Sequence, residues 1–117
     1  PAVPLERAGE WFEDARPSPF MLKVMQVRPE KRGVIPAVTH ADGSARLQTV
    51  AQRAAPVFHA LLEAFGNLTG VPVVLNTSLN LPGQPIACTA EDVLDVFEQM
   101  PLDALVLENQ LIMRRVP

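Results

Sequence analysis

The densest cluster of reactive side chains follows an apolar run at residues 71–75. It comprises Asn76, Thr77, Ser78 and Asn80, with Pro82 and Gly83 just beyond. Hydroxyls and carboxamides can bind phosphate or carboxamide oxygens, and Gly83 lets backbone approach a ligand closely. A strand end loaded in this way is where open α/β sheets place ligands. The same residue types also build ordinary turns through local hydrogen bonds, so the segment alone leaves both readings open.

A second group is the run from Thr39 through His40, Asp42, Gly43 and Ser44 to Arg46. Asp-Gly favours a tight turn because glycine accepts positive φ. Such a turn would present His40, Asp42, Ser44 and Arg46 together. The planar guanidinium of Arg46 suits a phosphate or carboxylate, whose two oxygens it can hold at once. The alternative is a solvated hairpin with an Asp–Arg surface pair of little energetic weight. A third group, Arg28 with Lys31 and Arg32, reads as a charged loop in which Arg28, at a strand end, is the residue best placed to reach a site. No nucleophile with an adjacent base is visible, so the catalytic residues are unknown at this level. The acidic residues Asp92, Asp95 and Glu98 read as the solvent face of a helix.

Composition narrows the partners. The chain has 117 residues, 48% of them hydrophobic, and a net charge of −3. That suffices for a folded core and offers no basic surface for nucleic acid or anionic membrane. Cys88, the lone cysteine, excludes an intrachain disulfide and is expected to pack at a strand end. His40 and His59 are too few and too far apart to spell a metal motif, so no metal site is expected. No signal peptide or membrane-length apolar run is present, and a cytoplasmic location is expected. The opening Pro-Ala-Val-Pro reads as mid-sequence material, so a fragment of a longer polypeptide is expected.

The elements that must position these groups follow from periodicity. A short helix is expected over 6–14, with Trp11 and Phe12 packed inside, and strands over 22–27, 34–39, 46–50 and 71–75. The 34–39 and 46–50 strands would form a hairpin through the Asp-Gly turn, with Ala45, Leu47 and Thr49 on one face. Pro56 starts a helix, Gly70 stops it, and Val57, Leu61, Leu62, Phe65 and Leu68 form its expected inward stripe. A second helix runs over 90–100 with Thr89 as N-cap and Val93, Leu94, Phe97 and Met100 inward. Residues 104–107 suit a strand covered on both faces, and 111–116 a final strand. The whole reads as a layered α/β or α+β domain, with a twisted mixed sheet packed against helices.

Three stretches together resemble the carbamoyltransferase family of nodulation-factor and antibiotic O-carbamoyltransferases, in its C-terminal domain. They are Ser18-Pro-Phe-Met21; Ile35-Pro-Ala-Val-Thr-His-Ala-Asp-Gly-Ser-Ala-Arg-Leu-Gln48; and Val73-Val-Leu-Asn-Thr-Ser-Leu-Asn80 with Gly83-Gln-Pro-Ile86. They occur in order over nearly the whole chain. The resemblance implies a YrdC-like fold, incomplete here, that joins ATP and carbamoyl phosphate into carbamoyl adenylate, with magnesium an admissible companion of the nucleotide. It further implies an N-terminal, metal-binding actin-like domain, absent from residues 1–117, that passes the carbamoyl group to a small-molecule hydroxyl acceptor. By the same likeness Ser78 and Asn80, near Gly83, contact nucleotide phosphates or the carbamoyl group, and Arg46 holds an anionic oxygen. The chain departs from the pattern in lacking the preceding Lys-x-Arg-Glu motif and in carrying Leu79, Leu81 and Pro82 in the loop. Two other readings accompany this one: a non-catalytic docking or homodimerisation module, and a threonylcarbamoyl-adenylate synthase-like protein.

Overall fold

The computed structural model describes residues 1–114 and has mixed α+β content, in two compact units that divide after Asn76. In the first unit, β1 (Ala2–Pro4), β3 (Ser44–Val50) and β2 (Lys23–Gln26) form a mixed three-stranded sheet in the order β1-β3-β2. β1 lies parallel to β3, and β2 lies antiparallel to it with Val24 opposite Arg46. Ala45, Leu47 and Thr49 are buried and Arg46 is exposed, as a period of two requires. The buried face meets Trp11, Phe12, Val27 and Val73 in one apolar cluster.

The partner of β3 differs from the expected hairpin. Residues 34–39 are not a strand; Pro36–Val38 forms a 3-10 turn. Pro36 has no N–H for a ladder, and Thr39 donates its hydroxyl to the Ile35 carbonyl at 2.8 Å, closing the turn on itself. The Asp-Gly turn is present, with Gly43 at φ +80°, but it feeds a ladder with β2 through a bond from the Val27 N–H to the Gly43 carbonyl. The first helix is shorter than expected, a 3-10 helix at Leu5–Glu10. It ends because Phe12 leaves to bridge Val27. Residues 71–75 make a single bridge, Val74 to Ala2, rather than a strand; Pro72 removes one donor from the run.

Helix α1 (Pro56–Thr69) has the expected bounds, with Gly70 left-handed at φ +77° and its N–H on the Gly66 carbonyl. Its buried face is not the expected stripe. His59, Leu62 and Gly66 face inward, and Leu62 packs with Ala2 and Val50, whereas Val57, Leu61, Phe65 and Leu68 are exposed. Gly66 lies against Pro72 so closely that a Cβ there would stand 2.8 Å from the proline ring.

The second unit holds α2 (Ala90–Gln99) and a hairpin of β4 (Ala104–Leu107) with β5 (Gln110–Met113). Thr89 and Asp92 form a reciprocal capping box at the start of α2. Val96 and Phe97 are its buried residues, while Leu94, expected inward, is exposed. Arg114 donates to the carbonyls of Phe97, Met100 and Leu102, tying the hairpin to the C-terminal end of α2, where a cation is favoured. β4 is covered on one face only: Leu105 is buried and Val106 exposed. Val116, the end of the expected final strand, lies outside the described residues. Among those described, no helix is long and apolar enough to cross a membrane.

Candidate functional site

Arg46 points out of the sheet because its neighbours Ala45 and Leu47 point in. Thr39 and His40 reach the same side after the 3-10 turn, and Asn76 arrives from the segment past Val74. These four line a shallow hollow of about 180 Å³, together with Pro1 and Met21 among others. Gln48 is two residues beyond Arg46 and therefore on its face of β3. Its side-chain oxygen accepts a 2.7 Å bond from the Asn76 amide while its own amide donates to the Pro19 carbonyl at 3.1 Å. Gln48 thus fixes Asn76, a role that composition alone did not reveal; the alternation along β3 was the signal that could have found it.

The Asp-Gly turn braces the other side. Ser44 is buried, and its hydroxyl donates to Asp42 Oδ1 at 2.6 Å, with the Ser44 N–H on the same oxygen at 2.9 Å. His40 Nδ1 lies 3.0 Å from the Ser44 oxygen. With the serine proton committed to Asp42, Nδ1 must be the donor in that pair. The Ser44 hydroxyl, then the Ser44 N–H and the charge of His40, hold the Asp42 carboxyl below its usual value. This chain of bonds orients the imidazole and does not activate Ser44 as a nucleophile, since its proton goes to a carboxylate rather than to a base.

No ion pair engages Arg46 among the described residues. The lining contains no carboxylate. A cationic fork, a carboxamide and an imidazole are groups that can hydrogen-bond an oxyanion without a protein nucleophile.

Ser78, Asn80 and Gly83 belong to the second unit. The Ser78 hydroxyl donates to Asn80 Oδ1 at 2.6 Å, and the Asn80 amide donates to the carbonyls of Leu81 and Gln84. Gly83, at φ +78°, completes a Pro-Gly turn closed by the Gln84 N–H on the Leu81 carbonyl. Arg28 lies elsewhere: its guanidinium donates to the Gly9 carbonyl at 2.8 Å and its N–H to the Trp11 carbonyl, fastening the N-terminal segment to β2. Two larger hollows, of about 430 and 460 Å³, lie beside α2 and beside β2, and neither contains a residue of the His40–Arg46 group. Cys88 is exposed rather than packed, and its N–H donates to the α2 cap residue Asp92.

One cluster escaped the sequence reading. Glu6, His59 and Glu63 bring one ligand atom each within 4.8 Å of one another, although Glu6 and His59 are 53 positions apart. His59 is buried and bonds Glu6 at 2.5 Å, and Arg7 already supplies a cation 3.8 Å from Glu63. The set clasps the N-terminal 3-10 helix to α1, with Glu63 Oε1 buried and without a hydrogen-bond partner among the described residues.

The family described as carbamoyltransferase C-terminus matches residues 1–114. The chain is 43% identical over 118 residues to nodulation protein NolNO of Sinorhizobium fredii, covering 98% of this chain and 17% of that protein. It is 39% identical to nodulation protein NolO of Bradyrhizobium diazoefficiens, over 98% of this chain and 22% of that protein. It is 38% identical to a 3'-hydroxymethylcephem-O-carbamoyltransferase of Amycolatopsis lactamdurans, over 92% of this chain and 20% of that protein. The chain thus spans about a fifth of the length of these curated relatives.

Proposed function

This chain belongs to the carbamoyltransferase C-terminus family, and on that premise we propose that it forms the carbamoyl-phosphate-binding part of an O-carbamoyltransferase. The observation that carries the reading is Arg46, exposed, without an acidic partner among the described residues, and set beside His40 and Asn76 in one hollow. In this reading the guanidinium grips the phosphoryl oxygens, Asn76 orients the carbamoyl amide or carbonyl, and the Asp42–Ser44–His40 chain fixes the imidazole at the rim. By their likeness to the YrdC-type signature, with Gly83 nearby, Ser78 and Asn80 would contact the phosphates of ATP or the carbamoyl group.

The chemistry balances with one water. Water cleaves the phosphoryl group from carbamoyl phosphate, leaving carbamate and orthophosphate. A carbamate oxygen then attacks the α-phosphorus of ATP, the bond to the β-phosphate breaks, and pyrophosphate leaves with carbamoyl adenylate formed. The adenylate's carbonyl carbon is finally attacked by an acceptor hydroxyl, releasing AMP and a proton. Bringing two polyanions together is the main barrier, and fixed cationic and amide donors lower it by charge neutralisation and orientation. Magnesium, where needed, travels with the nucleotide. The acceptor would be bound by the remainder of a longer polypeptide, whose relatives are about five times the length of this chain. Such chemistry belongs in the cytoplasm, where both phosphorylated substrates are made.

The test is carbamoyl-phosphate-dependent pyrophosphate release by the full-length polypeptide. Arg46→Ala should lower the rate by about 100-fold or more, the scale of losing one oxyanion donor. Unchanged release would remove Arg46 from the site.

A further inference from the structure

Outside the Arg46 hollow, one group of side chains has the composition of a metal site: Glu6, His59 and Glu63, none of which lines that hollow. His59 and Glu63 stand four positions apart on α1, so their side chains leave the same face one turn apart. Glu6 comes from the N-terminal 3-10 helix and lies 2.5 Å from His59 Nε2. One ligand atom from each residue lies within 4.8 Å of the other two. The imidazole is buried, with 8% of its side chain exposed. Glu63 turns Oε2 toward Arg7 at 3.8 Å, while its Oε1 is buried with no hydrogen-bond partner among the described residues. A buried carboxylate oxygen without a partner is costly to hold. Arg7 does not answer it, since Glu10 already takes that guanidinium through two bonds of 3.2 and 3.3 Å. Within this group Glu6, Glu10 and Glu63 face Arg7 alone, which leaves two negative charges when the imidazole is neutral.

We propose that Glu6, His59 and Glu63 form a binding site for a divalent transition-metal cation of the zinc type, which pins the N-terminal 3-10 helix to α1. A divalent ion offsets the two surplus charges and gives the orphan Glu63 oxygen a partner. One imidazole nitrogen with two carboxylate oxygens suits such a borderline ion, whereas magnesium and calcium prefer oxygen alone. Three protein ligands leave a fourth position for water. Glu6, with 58% of its side chain exposed, gives the ion a way in. To ligate, Nε2 gives up the proton it holds toward Glu6, and the cation takes that place. Donors at about 2.1 Å from a tetrahedral ion stand about 3.4 Å apart, so the Glu6–His59 pair opens by roughly 1 Å, an adjustment that exposed Glu6 can make. The 3-10 helix follows directly on β1, so the ion also steadies the strand that lies beside β3.

The test uses the full-length polypeptide, stripped of metal with a chelator and titrated with zinc chloride by calorimetry. The unsubstituted protein should bind one equivalent more than Glu63→Gln and one more than His59→Gln. Glu63→Gln keeps the shape of the side chain and removes only its charge, so it reports even where the histidine variant does not fold. Amide exchange read by mass spectrometry locates the ion. Zinc should slow exchange over Leu5–Glu10 and Pro56–Thr69 in the unsubstituted protein and leave both segments unchanged in Glu63→Gln. Equal zinc stoichiometry in the unsubstituted protein and Glu63→Gln, or no effect of zinc on these two segments, would overturn the proposal, as would an equal response to magnesium chloride. Neither readout depends on carbamoyl transfer, so the metal site and the proposed activity stand or fall separately.

Discussion

At the scale of single residues, the hollow depends on one cation and on the bonds that keep its rim still. Ser44 gives its only proton to Asp42 and so obliges His40 to donate from Nδ1. Removing the hydroxyl in Ser44→Ala deletes the largest cause of the low Asp42 pKa. The Asp42 carboxyl should then titrate closer to the ordinary aspartate value of about 3.9, observable by carbon NMR of the side chain; an unmoved titration would show that Ser44 does not hold it. In the unsubstituted chain the sign follows from a depressed carboxylate. Its contribution to the turn is complete above the ordinary aspartate pKa and is lost as pH falls through the lower folded value. Asp92 behaves alike at the α2 cap, where the Cys88 and Thr89 N–H groups lower its pKa. Neither carboxylate has any reason to respond near neutral pH.

At the scale of elements, local chemistry was legible and tertiary choice was not. The Asp-Gly turn, the alternation of Ala45, Arg46 and Leu47, the Pro56 start and Gly70 stop of α1, and the Thr89 cap were all readable because each depends on neighbours a few residues away. The partner of β3 was not, because Pro36 turns an apparently strand-like run into a 3-10 turn and gives the place to β2. Nor was the inward face of α1. With apolar residues all round and one fixed charge, periodicity offers no preference, and the deciding contact is the approach of Gly66 to Pro72. That contact predicts an inverted result. Gly66→Ala should destabilise the fold by about 1–3 kcal/mol through overpacking, although alanine is favoured over glycine in a helix by about 1 kcal/mol. Urea denaturation decides it, and a stabilised variant would show that Pro72 yields. Thr89→Ala should cost about 1 kcal/mol at the α2 cap, seen as a lower midpoint in the same experiment.

At the scale of the molecule, family membership and site geometry answer different questions. The match over residues 1–114 shows what kind of chain this is; the hollow suggests what it holds. The candidate residues were visible in the sequence as polar groups at a strand end and at an Asp-Gly turn. Which of them share a hollow was not visible. His40, Arg46 and Asn76 meet because β3 turns Arg46 outward and the Val74 bridge brings Asn76 alongside Gln48. Arg28, equally basic in the sequence, is spent on the Gly9 carbonyl. The Glu6–His59 clasp was invisible because its members lie far apart in the chain and carry no shared motif.

Arg46 is proposed as the receptor of an anionic phosphate, and calorimetric titration of carbamoyl phosphate tests this most directly. Binding should be saturable and should weaken about tenfold or more in Arg46→Ala, the loss expected of a charge-assisted hydrogen bond worth about 1.5–3 kcal/mol. Arg46→Lys should fall between the two, since a lysine keeps the charge without the fork. Equal affinity in the alanine variant and the unsubstituted protein would contradict the assignment of the hollow.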